Sequence, residues 1–206
     1  MNRKEIKLLI LISVLSSIAL AILYLKCLNQ TFDLKNVMKA SSASLTLISA
    51  FWTGYFTWFW KWPLLKKIFY RPNVNGTWSG QIFSDWIDTN TGKETAPKDF
   101  YVVIRQSFLR IHLTTFTESF VGVSYSENFN LSKEKGLKHI SYLYRKDTSI
   151  TTSGNDHDGG AEIRLIESLT NELKGRYWTS QKTNGKISLV FISNTHVDSF
   201  IDAAKL

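Results

Sequence analysis

The chain has 206 residues, with 25 Lys and Arg against 17 Asp and Glu, and Cys27 as its one cysteine. This composition excludes a disulfide scaffold and collagenous, low-complexity or wholly disordered chains. The charge is uneven: residues 1–72 hold 10 basic and 2 acidic residues, and residues 73–206 hold 15 of each. A neutral C-terminal two thirds argues against a partner that is polymeric nucleic acid, which needs a basic surface on the folded domain.

After a basic N-terminus (residues 1–7, with Arg3, Lys4 and Lys7), residues 8–25 form an uncharged run of 18 residues. A loop over 26–39 follows, then a second uncharged run of 21 residues over 40–60. At about 1.5 Å per residue, each reaches the ~30 Å hydrocarbon thickness and predicts a transmembrane helix. A cleaved signal peptide fits the first run poorly, since Ala19-Leu20-Ala21 lies inside it. A buried core helix is the alternative for the second. Trp58, Trp60 and Trp62 beside Lys61, Lys66, Lys67 and Arg71 read as an aromatic belt with a basic collar, and the flanking charges favour both termini in the cytoplasm. Small residues recur every fourth position: Ser13, Ser17 and Ala21 in the first run, Ser42, Thr46, Ala50 and Gly54 in the second. Such stripes let helices approach closely in lipid, within the hairpin or between copies.

A linker over 61–74 is bracketed by Pro63 and Pro72, and beyond it the pattern changes to period two. Strands are expected near 76–86, 100–107, 109–117, 119–129, 138–146, 161–167, 173–181 and 186–193, with Asn184-Gly185 read as a hairpin turn. A short helix is expected over 198–206. Eight short strands predict an eight-stranded antiparallel up-and-down, lipocalin-like barrel over residues 75–206, with a two-sheet sandwich as the alternative. Gly76-Thr77-Trp78 opens the first strand like the G-x-W start of lipocalin-like barrels, where Trp packs across one end.

Alternation turns Trp78, Gly80, Ile82, Ile111, Leu113, Ile140, Ile163, Leu165, Leu173, Gly175, Ile187, Leu189 and Phe191 inward. It also sends Tyr142, Tyr144, Tyr177 and Thr179 inward, and Tyr125 is grouped with them. Buried hydroxyls need partners, and a pocket with polar handles supplies them. No metal or catalytic motif is present: the four histidines lack ligand spacing, and neither H-E-x-x-H, a P-loop nor G-x-S-x-G occurs. The expectation is a non-enzyme without metal or resident cofactor.

The order of basic N-terminus, two-span hairpin, Pro-bounded linker and β-barrel resembles the two-transmembrane β-barrel effectors of the cyclic-oligonucleotide-based anti-phage signalling systems (CBASS) of bacteria. The residues that carry the resemblance are the two spans, Pro72-x-x-x-Gly76-x-Trp78-x-Gly80, Gly160-Ala161-Glu162-Ile163-Arg164 and Leu173-x-Gly175-x-Tyr177-x-Thr179. It implies that the barrel binds a cyclic dinucleotide second messenger. Binding would drive homo-oligomerisation, disruption of the bacterial inner membrane and abortive infection. Tyr125, Tyr142, Tyr144 and Tyr177 would stack on bases, Thr179 would hydrogen-bond, and Arg105, Arg145 and Arg164 are the strand arginines nearest for the phosphates. Alternation puts all three arginines on the outer face, so bulges, a rim loop or a second subunit would have to supply cations. The competing readings are a membrane-anchored lipocalin-like carrier of an apolar small molecule and a plain structural anchor.

Overall fold

The computed structural model describes residues 3–65, 68–69, 71–87, 92–132, 137–146, 158–166 and 171–206. The chain divides into two compact units, Met1–Pro72 with Ser107–Leu109, and Asn73–Gln106 with Arg110–Leu206.

The first unit is built on helices α1 (Arg3–Cys27) and α2 (Leu34–Thr57). α2 begins six residues before its uncharged run because Asp33 caps it, accepting from the Asn36 amide at 2.9 Å. Among the described residues, α1 is the one helix both long and apolar enough to cross a membrane. α2 is one residue shorter, but Lys35, Lys39 and its serines and threonines make it less apolar. Four of those hydroxyls are satisfied inside the helix: Ser44, Thr46, Thr53 and Thr57 each donate to the carbonyl four residues back. The helices meet through Trp52, whose indole N–H donates to Ser13 Oγ at 2.9 Å. Leu8, Leu11, Val14, Leu15, Ile18 and Ile22 are left exposed on α1. Past α2, a 3₁₀ turn (Phe59–Lys61) leads to a cluster of buried rings: Trp52, Tyr55, Trp60, Phe69 and Phe108.

The second unit is a closed antiparallel barrel in which each strand pairs with its neighbour in sequence and the last with the first. The strands are β1 (Gly76–Ser84), β2 (Lys98–Gln106), β3 (Ile111–Thr117), β4 (Phe120–Ser132), β5 (Leu137–Lys146), β6 (Asp158–Leu165), β7 (Glu172–Thr179) and β8 (Asn184–Ser193). A short helix α3 (Phe200–Ala203), capped by Ser199, ends the chain. The buried core holds the aliphatic side chains that alternation turns inward. One end is closed by Trp78, which packs edge-on against Phe191 at 5.3 Å and donates its indole N–H to the Val74 carbonyl. Gln106 ties the same end, its Oε1 accepting from the Val74 amide at 2.8 Å.

Two local readings are corrected. Asn184-Gly185 is not the turn: both residues belong to β8, and Lys182 takes the left-handed conformation instead, at φ 62°. Tyr125 does not face inward. The register slips between Ser124 and Ser126, leaving Tyr125 as the extra residue of a bulge with 54% of its surface exposed. Ser124 sets the slip, turning in to accept the Leu113 amide at 2.9 Å.

Candidate functional site

Opposite the Trp78 end, the barrel holds a cavity of about 420 Å³. Its deeper wall is Ile82, Phe100, Tyr142 and Ile187; Tyr144, Tyr177, Phe120, Thr115, Thr117 and Thr179 continue it outward. Ser84, Trp86, Thr95, Lys98, Ser119, Lys146, Gln181 and Thr183 complete the lining from strand ends and connecting turns. The β1–β2 connection is held at the rim by Thr95, whose amide and hydroxyl both donate to the Trp86 carbonyl.

Tyr142, Tyr144 and Lys146 are successive inward positions of β5, so they rise toward the mouth in steps of about 7 Å. Burial raises the pKa of Tyr142, with Tyr144 adding to it, and pushes that of Tyr144 up to about 12, with Tyr177 adding to it. Both phenols therefore stay protonated and able to donate at neutral pH. Lys146 is buried and Lys98 exposed, and no described lining residue is a carboxylate. The described lining therefore brings two lysines into a domain whose charges balance. Rings, hydroxyls and two lysines suit a ligand with flat faces and negative charge.

Of the residues expected at the site, Tyr142, Tyr144, Tyr177 and Thr179 line this cavity together. Tyr125 does not, and none of the three arginines does. Arg105 bonds Asp198 at 2.9 Å, and Arg145 makes two bonds to Asp158 while lying 5.5 Å over the exposed Tyr125 ring. Arg164 is exposed beside His139 and Lys174. The period of two is unbroken at these positions, so nothing re-aims them. Among the described residues, no group of three or more His, Cys, Asp or Glu could hold a metal.

Residues 69–190 match the family model described as Cap15, cyclic dinucleotide receptor domain. The chain belongs to the Cap15 family. The match places it among the CBASS effectors that its sequence resembles, and all the residues lining the cavity fall within it. Similar curated Cap15 proteins are CD-NTase-associated protein 15 of Escherichia albertii, 28% identical over 181 residues, and that of Staphylococcus schleiferi, 24% identical over 148. The first alignment covers 85% of this chain and 87% of the relative; the second covers 72% and 76%.

Trp86, Lys98, Lys146, Phe120 and the rim hydroxyls are the site residues that sequence reasoning missed. For two of them a signal was present. Lys146 lies two residues beyond Tyr144, and Lys98 two before the inward Phe100, so the same alternation carries each cation into the lumen.

Proposed function

We propose that the cavity binds a cyclic dinucleotide, with Lys98 and Lys146 toward its phosphates, Tyr144, Tyr177 and Trp86 against its bases, and Tyr142 and Thr179 as hydrogen-bond donors. The observation that carries this reading is a ring-lined lumen with Lys98 and Lys146 in its wall, within a cyclic dinucleotide receptor domain. The hydroxyls and lysines of the lining count against an apolar carrier, whose ligand offers them no polar partner.

In this reading α1 and α2 are membrane spans with both chain termini in the cytoplasm of a bacterium. The occupied barrel favours an assembled state, which crowds the hairpins and disrupts the inner membrane, and the infected cell is lost before the phage matures. A ligand shifts such an equilibrium only by its preference for one state. Ser42, Thr46 and Ala50 are exposed on α2, whereas Ala40, Ser44 and Trp52 are buried, which supports a small-residue face left for other copies. Gly54 does not share that face, since Phe59 fills the space beside it.

The test is calorimetry of the full chain in detergent micelles with a panel of cyclic dinucleotides carrying adenine, guanine or uracil, with mass followed by light scattering. Micromolar or tighter binding of one of them and a rise in mass are expected. Absence of binding across the panel, with uptake of a fatty acid instead, would reverse the assignment in favour of a carrier.

A further inference from the structure

In β5 and β6, Tyr144 stands directly opposite Gly159, both on the inner face. The tyrosine ring lies across that glycine: a methyl group on Gly159 would meet ring Cζ at 2.5 Å and the hydroxyl closer still. On the next wall Tyr177 stands opposite Gly185, where a methyl group would meet ring Cζ at 2.8 Å. Neither glycine has a positive φ, so what each supplies is space and not backbone conformation. With a Cβ at either position, the ring would be levered off the wall into the lumen.

We infer that Gly159 and Gly185 are positioning residues for ligand binding: each lets one tyrosine ring lie flat on the barrel wall, keeping the cavity open and turning a π-face toward it. A flat ring with its edge buried offers one face to a nucleobase, and stacking is tolerant of which base it meets. Two such rings on neighbouring walls give one platform for each base of a cyclic dinucleotide. The stacking half of this inference rests on the proposed ligand; the glycine–ring packing does not. A methyl group on Gly185 would meet the Phe83 carbonyl before the tyrosine, whereas one on Gly159 meets the tyrosine first and the Trp178 carbonyl after it, at 2.7 Å, so Gly159 is the position to change.

The adjacent Gly160 is a matched control. A methyl group there would meet the Trp178 ring at 2.5 Å, the same packing but on the outside of the barrel. The full chain in micelles is prepared as wild type, Gly159→Ala, Gly160→Ala, Tyr144→Leu and Gly159→Ala/Tyr144→Leu. Binding is measured with the tightest cyclic dinucleotide of the panel, and nitration of Tyr144 by tetranitromethane is read by mass spectrometry. Gly159→Ala is expected to weaken binding about tenfold or more and to raise Tyr144 nitration severalfold, while Gly160→Ala leaves both near wild type. Once Tyr144 is leucine, Gly159→Ala should add less than about twofold, because the glycine acts through the ring. Unchanged nitration in Gly159→Ala, or losses that multiply in the double variant, overturns the inference. A wild type that binds nothing in the panel while Gly159→Ala exposes Tyr144 instead removes the proposed ligand and leaves the glycine–ring packing intact.

Discussion

The molecule holds two groups of aromatic side chains with opposite outcomes. In the helical unit, Phe108 is fully buried with Tyr55, Phe56, Trp60 and Phe69 at centroid distances of 5.1 to 6.1 Å, and Arg71 lies 4.7 Å over its ring. In the barrel, Phe100, Phe120, Tyr142, Tyr144 and Tyr177 surround about 420 Å³ of space. Residue type does not separate the two. Neighbours do: Phe108 has four rings around it, whereas Tyr144 meets Phe120 and Tyr142 at 6.0 Å and the barrel rings otherwise share their wall with glycine, threonine and lysine around open space.

The largest break in that contrast is Phe108→Ala. Emptying a site enclosed by four rings is expected to cost about 3–5 kcal/mol, read as a lowered melting temperature of the full chain. Tyr177→Ala should do the reverse, moving stability little because the ring is partly exposed. Loss of its stacking, about 1–3 kcal/mol, weakens ligand binding roughly five- to 150-fold in calorimetry.

How far the sequence reveals this contrast depends on period. Eight strands and most of their inward faces follow from alternation, and α1 and the body of α2 from charge-free length. Tyr125 was misread because a bulge is invisible to a pattern that assumes every residue is paired. Asn184-Gly185 was misread because glycine serves a turn and a crowded wall equally well. The lumen cations were passed over because lysines at strand ends look like solvated rim, and the arginines drew attention by type and not by face.

Lys146→Met should weaken binding by about 1.5–3 kcal/mol, an order of magnitude or more, if the buried cation meets a phosphate. The dependence of affinity on salt concentration should flatten with it. Alkaline unfolding sharpens the same comparison. The folded-state pKa of Tyr144, pushed up by burial, exceeds the ordinary value of 10. The phenol's contribution is therefore fully present below pH 10 and is lost as pH rises toward 12. Melting curves taken from pH 8 to 12 should fall over that window, and less steeply in Tyr144→Phe. The smallest effect is expected from Arg145→Ala: its partner Asp158 and its own side chain are both well exposed, so binding should change by less than about twofold.

The barrel closes, so most of its strand length is paired on both sides, but β4 pairs with β3 only over residues 120–123 and with β5 alone over 126–132. Elsewhere the sheet offers no free backbone to a second strand, the route by which exposed edges aggregate. In the assembly proposed above, contacts between barrels away from that stretch would fall to side chains and loops and not to strand pairing.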